Sequence, residues 1–215
     1  MIFLNNFDVF VEGFLKTLQL AGMSFALALP LGVVLALMRT SPVGILRGTG
    51  GAYVEIFRNT PLTVLLFFSA FVLPVLGFSL SYFLFAVIGL TAYYAAFFCE
   101  AVRSGLNTIP IGQAEAARSI GLSTRQMLWY VIMPQAFRNA LPAVVNVVIA
   151  LIKSTAIASA FGVAESISSM ELLIFRHSDS VISILIVTCL LYLAITIPLG
   201  RLAAFMEQQS AGHGS

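Results

Sequence analysis

Apolar stretches long enough to cross a lipid bilayer dominate this chain. The stretch from Thr17 to Met38 carries no charged residue, and residues 59–99 are also uncharged. A membrane-spanning helix needs about 20 mostly apolar residues, so the first stretch predicts one span, entered a turn earlier, and the second is long enough for two. We predict spans at about 17–38, 60–74, 80–102, 139–164 and 181–199, with the second extending back over 52–57.

Shorter polar segments join these predicted spans. Residues 39–58 are basic, and Ser41-Pro42 with four glycines predicts a loop there. Asn59-Thr60-Pro61 predicts the capped start of the second span, since proline suits a first helical turn. A connector follows the fourth span, and we expect its charged residues to form a solvated surface; they are Glu165, Glu171, Arg176 and Asp179.

The basic residues are distributed unevenly between the two predicted sides of the membrane. Eight arginines fall on one side: Arg39, Arg47, Arg58, Arg103, Arg118, Arg125, Arg138 and Arg201. Only Arg176 and Lys16 fall on the other. Because cytoplasmic loops are enriched in Lys and Arg, we expect the N-terminus outside and the C-terminus in the cytoplasm. The first thirteen residues have no Lys or Arg, so we expect no cleaved secretory signal.

Composition supports an all-α integral membrane protein. Of the 215 residues, 60% are hydrophobic and 9% are charged, against about 25% charged in soluble domains. We read residues 1–215 as a single transmembrane domain. Cys99 and Cys189 lie in apolar runs, and His177 stands alone, so no metal site is expected.

The chain also lacks the signals of an enzyme. No Gly-x4-Gly-Lys-Ser/Thr motif is present, so we expect no ATP hydrolysis by this chain and no cofactor of its own. No nucleophile–base pair indicates other catalysis, and nothing indicates nucleic-acid binding.

A polar island at about 112–138 interrupts the apolar pattern. Its sequence predicts a helix over 113–120, ended by Gly121 in the left-handed conformation. Ser123 and Gln126 have the spacing of a capping box, which predicts a second helix. We expect Pro134 to end or kink that helix.

This island resembles the cytoplasmic EAA loop of the membrane subunits of ATP-binding-cassette (ABC) importers. The matching residues are Glu115-Ala116-Ala117, then Gly121, then Val131-Ile132-Met133-Pro134. Val and Met replace the Ile and Leu of the family pattern, and both substitutions keep shape and apolarity.

Further segments resemble the polar-amino-acid branch of these importers, and most closely its glutamate-type permease subunits. They are Arg58-Asn59-Thr60-Pro61, residues 100–105, residues 133–138, and residues 146–155. The chain departs from many branch members at Thr155-Ala156-Ile157, where those read Thr-Ser-Leu.

The resemblance implies a type I permease fold that works by alternating access. It implies that Glu115, Ala116, Ala117, Arg118 and Gly121 dock on an ATPase subunit that binds ATP-Mg. The implied partners are a dimer of that ATPase, an identical or sister permease subunit, an extracytoplasmic solute-binding protein, membrane lipid and a polar amino acid such as glutamate or glutamine.

Several polar residues in the spans are candidates for the substrate path. Lys153 lies about 14 residues, or about 21 Å, into the fourth predicted span, where a lysine costs about 2.5–3.5 kcal/mol. Ser154 and Thr155 follow it, and Asn146 lies two turns earlier on the same face. These residues either line the path or form a structural pair between helices. Glu100 either faces the path or forms a local ion pair with Arg103.

Two other classes of function remain open at this point. An ATP-independent secondary transporter or channel would also need polar residues in the membrane. Such folds often carry internal repeats, and we find none here. A purely structural membrane subunit is the other alternative, although it would need neither a docking loop nor Lys153.

Overall fold

The computed structural model describes residues 6–211, and every regular element in that range is a helix. The tail residue His213 and the first five residues lie outside the described range. The helices are α1 (Phe7–Thr40), α2 (Gly44–Asn59), α3 (Leu62–Val75), α4 (Tyr82–Asn107), α5 (Ile111–Ser119), α6 (Thr124–Phe161), α7 (Ser166–Arg176) and α8 (Val181–Ala211). The predicted all-α class is confirmed.

Four helices are long and apolar enough to cross a membrane alone, namely α1, α4, α6 and α8. The pair α2 and α3 passes the same test together but is bent by 100° between the two helices. The described chain therefore has four or five spans, in agreement with the five predicted. Most spans are longer than predicted, because polar residues near their ends continue the helix.

The predicted loop at 39–58 is wrong, since most of it forms α2. Its glycines are tolerated because a helix loses only about 1 kcal/mol per glycine relative to alanine. Packing offsets this cost: Val54 is buried, and the Tyr53 hydroxyl donates a hydrogen bond of 2.9 Å to the carbonyl of Ala92. At Gly50, an added Cβ would lie 3.0 Å from Arg39 Cγ, so the missing side chain permits close contact with α1.

The helix predicted to extend the second span backward over 52–57 is present as part of α2, but it is bent by 100° relative to α3 and is not continuous with it. Pro61 disfavours a helical conformation at the preceding residue, and Thr60 is extended, with φ −88° and ψ 133°. The side chains of Asn59 and Thr60 donate to the carbonyls of Glu55 and Ile56, each at 2.8 Å. They therefore close the end of α2. Contrary to our prediction, they do not cap the start of α3.

Close packing of α4 against α1 and α6 forms the core of the bundle. A Cβ at Gly32 of α1 would lie 2.6 Å from Phe98 Cβ on α4. A Cβ at Gly105 of α4 would lie 2.6 Å from both the Ala136 carbonyl oxygen and the Ala140 Cβ of α6. Small residues at such contacts let membrane helices approach closely.

Pro134 does not end the helix that contains it, although an end there was one of the two outcomes we predicted. A π-helical stretch at Met127–Ile132 precedes it, and α6 continues through to Phe161. Pro74 in α3 follows another π-helical stretch, Phe68–Val72, at the same spacing. The wider π turn accommodates a proline that a regular α-helix would exclude. The second helix of the polar island is thus the first part of the fourth span.

Candidate docking surface and polar sites in the membrane

The helix α5 and the turn after it form the centre of the polar island. Gly121 has φ +83°, its N–H donates to the Arg118 carbonyl at 2.9 Å, and the Leu122 N–H donates to the Ala117 carbonyl at 3.1 Å. These two bonds make the Schellman ending that glycine favours. The predicted left-handed glycine is confirmed, and α5 begins two residues earlier than predicted.

The capping box at the start of α6 is also confirmed. Ser123 Oγ accepts from the Gln126 N–H at 3.3 Å, and Gln126 Oε1 accepts from the Ser123 N–H at 2.9 Å. Only residues 120–123 separate the two helices. Because both ends of this short connection are hydrogen-bonded, the angle between α5 and α6 is fixed by backbone geometry.

The predicted docking residues are not all exposed to solvent. Glu115, Ala116 and Arg118 are exposed, whereas Ala117 is buried with 4% exposure. Ala117 and Met127 are both buried where α5 packs on the start of α6. The small size of Ala117 therefore serves packing within the chain, and its side chain lies outside the exposed face.

The charges of α5 are available to a partner. Among the residues that the structure describes, neither Glu115 nor Arg118 forms an ion pair, although they lie one turn apart. Ile111, the first residue of α5, and Ile120, directly after its end, are 79% and 77% exposed. Sequence reasoning missed these two residues; the signal was an isolated apolar residue at each end of a short polar helix.

Lys153 lies on the surface of α6 at the middle depth of the bundle. The neighbouring Ser154 Oγ accepts a hydrogen bond of 2.6 Å from the hydroxyl of Tyr94, which is the thirteenth of 26 residues in α4. Lys153 is exposed, and within residues 6–211 it has neither a hydrogen bond nor an ion pair. The structure therefore provides no helix-joining partner for this lysine.

The other candidates near Lys153 do not all share its face. Asn146 is exposed, and its side-chain N–H donates to Glu207 of α8 at a long 3.4 Å. Thr155 is fully buried and donates to the Ile152 carbonyl at 2.7 Å. Lys153 and Asn146 thus share an open face, whereas Ser154 and Thr155 are engaged inside the bundle.

Glu100 is the shared partner of three arginines from three helices. Arg39 of α1 donates to its carboxylate, Arg103 of α4 lies 3.3 Å away, and Arg58 of α2 lies 3.6 Å away. The local ion pair with Arg103 that the sequence suggested is present. The participation of Arg39 and Arg58 could not be read from the sequence, because it depends on the unpredicted helix α2.

Glu165 corrects another prediction, since it is fully buried and not part of a solvated surface. Its carboxylate accepts from the Thr17 hydroxyl at 3.0 Å, the Tyr192 hydroxyl at 3.2 Å, and the N–H groups of Ile167 and Ser168 at 2.8 and 3.2 Å. Burial raises the pKa of this carboxyl, and the hydrogen bonds oppose that rise. Its predicted companions Glu171, Arg176 and Asp179 are exposed.

Comparisons with known proteins agree with this architecture. The chain is 39% identical over 202 residues to the glutamate transport system permease protein GluC of Corynebacterium efficiens, covering 88% of this chain and 89% of that protein. It is 35% identical over 198 residues to the probable glutamine ABC transporter permease protein GlnP of Bacillus subtilis, with 91% of each chain covered. A solved structure of an amino acid ABC transporter with histidines superposes with a TM-score of 0.88 at 28% identity, covering 96% of both chains.

Residues 28–210 match the family described as binding-protein-dependent transport system inner membrane component. This match covers most of the chain, from within α1 through α5 and into α8. The helical architecture and its structural neighbours identify the fold as that of a type I ABC importer permease. The chain therefore belongs to the family of inner membrane components of binding-protein-dependent transport systems.

Proposed function

We propose that this chain is the transmembrane subunit of an ATP-driven importer for a polar amino acid, of the glutamate or glutamine class. The observation that carries the proposal is α5, an exposed helix with free charges held at a fixed angle to the fourth span. Two similar proteins are glutamate and glutamine transport permeases by name, which supports the substrate class. ATP-Mg is bound by the partner ATPase subunits.

The connections of α5 explain how a docked ATPase would move the bundle. Residues 108–110 join α5 to α4, and residues 120–123 join it to α6. Both of these helices form the core, so a displacement of α5 acts on two spans at once. Because α6 is continuous from Thr124 to Phe161, it acts as a rigid lever from the docking surface to the other side of the membrane. Repeated closing and opening of the ATPases would then alternate access to the substrate.

The open face of α6 supports a role for Lys153 and Asn146 in the substrate path. A lysine at mid-depth is stable only in a wet or protein-lined environment, and this chain alone gives it no described partner. Its ammonium would pair with a carboxylate of the amino acid or with the second permease subunit. Glu100 is held by arginines, so its geometry supports the ion-pair role over a place in the path.

We propose that the end of the bundle with α5 faces the cytoplasm. Arg39, Arg58 and Arg103 cluster at that end, as the enrichment of basic residues on the cytoplasmic side requires. The N-terminus then lies outside, and the solute-binding protein would contact the outer surface near α7. A cysteine placed at position 171 should react with an impermeant maleimide from outside, and one placed at position 115 should not.

Docking on the ATPase can be tested by co-purification. Glu115→Lys reverses a free charge on α5, whereas Glu171→Lys makes the same change on the exposed surface of α7. We expect the amount of ATPase that co-purifies with Glu115→Lys to be at least tenfold lower than with wild type, while membrane insertion stays normal. The amount that co-purifies with Glu171→Lys should equal that of wild type. Wild-type recovery of the ATPase with Glu115→Lys would refute α5 as the docking element.

The ATP-independent alternative predicts a different energy dependence. An uncoupler that dissipates the proton gradient while ATP is kept constant should stop a secondary transporter and leave an ATP-driven importer active. Membership of the importer family favours the second result.

A further inference from the structure

The three arginines around Glu100 carry more positive charge than one carboxylate can neutralise. We call Arg39, Arg58, Arg103 and Glu100 the arginine cluster; its formal charge is three minus one, or +2. The side chains of Arg39, Arg103 and Arg58 are 21%, 27% and 44% exposed. The cluster is therefore accessible from outside the chain and is formally cationic.

Two arginines of the cluster also have N–H donors that make no hydrogen bond within the described chain. Arg58 makes no hydrogen bond among residues 6–211, since its shortest approach to Glu100 is 3.6 Å. The Arg103 Nε is buried and has no hydrogen-bond partner in the described chain. A guanidinium presents donors in a planar fork that matches the oxygens of a phosphate. The cluster thus has unused donors as well as uncompensated positive charge.

The exposed side of α2 carries large apolar side chains together with polar ones such as Thr49 and Glu55. On α2, Ile45 is 81% exposed and Ile56 is 60% exposed, while Val54 is buried against the bundle. Next to the turn that precedes α2, Leu37 is 58% exposed. An amphipathic helix with apolar residues outward and arginine near its end is suited to the boundary between acyl chains and headgroups.

We propose that the arginine cluster binds the phosphate of an anionic phospholipid, in the leaflet on the side of α5. The headgroup phosphate would accept hydrogen bonds from Arg58 and neutralise positive charge in the cluster. The acyl chains of the lipid would lie along Ile45 and Ile56. Because the cluster joins α1, α2 and α4, a bound lipid would hold these three helices together. This proposal does not depend on the identity of the transported substrate.

Native mass spectrometry of the purified full chain, titrated with phosphatidylglycerol or phosphatidylcholine, tests the proposal. One arginine near an anionic surface contributes about 1 kcal/mol, so Arg58→Gln should weaken phosphatidylglycerol binding about fivefold. Arg138→Gln removes the same charge from an exposed site on α6 and should change it less than twofold. Glu100→Gln should strengthen binding about fivefold, because it removes the competing carboxylate.

Several results would overturn the assignment. Equal effects of Arg58→Gln and Arg138→Gln would mean that the arginine cluster is not the site. Equal binding of phosphatidylcholine and phosphatidylglycerol would contradict an anion site. Displacement of the lipid by inorganic phosphate at equal concentration would assign the site to free phosphate. If Arg58→Gln is too unstable to measure, Arg58→Lys takes its place. This variant keeps the charge without the planar fork, so its affinity for phosphatidylglycerol should lie between that of wild type and that expected for Arg58→Gln.

Discussion

The buried carboxylate of Glu165 provides the sharpest test of how the outer end of the bundle is held together. It accepts four hydrogen bonds: two from the start of α7, one from Thr17 on α1 and one from Tyr192 on α8. Thr17 in turn accepts from the Ser166 N–H at 3.1 Å. One side chain therefore connects three helices and caps one of them.

The cost of Glu165→Ala follows from the groups it leaves unpaired. Loss of the helix cap costs about 1 kcal/mol, and each of the two hydroxyls left without an acceptor costs about 1 kcal/mol. The sum of about 3 kcal/mol corresponds to a Tm lower by about 6–12 °C for a chain of this size. Glu165→Gln keeps one cap oxygen and offers an amide to the hydroxyls of Thr17 and Tyr192, so it should cost only about 1 kcal/mol.

Thermal unfolding of the detergent-purified chain, followed by intrinsic fluorescence at fixed pH, measures these differences. Glu171→Ala is the matched control, since Glu171 lies exposed on the same helix and should change stability by less than about 0.5 kcal/mol. We expect the order of Tm to be wild type, close to Glu171→Ala, then Glu165→Gln, then Glu165→Ala. A Tm for Glu165→Ala equal to that of Glu171→Ala would refute the network.

Three further predictions concern the titration of Glu165, the packing of α1 and the role of Lys153. Because burial raises the folded-state pKa of Glu165 above its ordinary value of 4.5, its favourable contribution is present below pH 4.5 and is lost as pH rises through the raised pKa; Glu165→Gln should flatten this part of the Tm–pH profile. Gly32→Ala should lower stability by about 1–3 kcal/mol through its clash with Phe98, whereas Gly22→Ala, which meets open space, should not; equal Tm values would contradict the packing. Lys153→Ala should reduce uptake at limiting substrate at least tenfold with normal ATPase co-purification, and unchanged uptake kinetics would reduce Lys153 to a structural residue.

The sequence predicted the spans and the α5 turn because their signals are local. Long uncharged runs determine where a helix can sit in lipid, and Gly121 with Ser123 and Gln126 specifies its own backbone geometry. Such features need no knowledge of the rest of the fold. The orientation and the docking surface were inferred from sequence as well, and both stay predictions.

Features that depend on tertiary contacts could not be predicted in this way. The glycines of α2 indicated a loop, but burial of Val54 and the Tyr53 hydrogen bond outweigh their low helix propensity. Glu165 looked like a surface charge because its partners Thr17 and Tyr192 are distant in sequence. Local sequence carries no signal for such long-range polar pairs.

ATP-driven uptake by a reconstituted complex tests the central claim most directly. Proteoliposomes containing this chain, its ATPase partner and its binding protein would be assayed with radiolabelled glutamate and glutamine, in the presence of an uncoupler. We predict uptake that requires ATP, survives the uncoupler and is lost in Glu115→Lys. Uptake without ATP, or uptake unaffected by Glu115→Lys, would contradict the account of α5 as the element that couples an ATPase to the membrane helices.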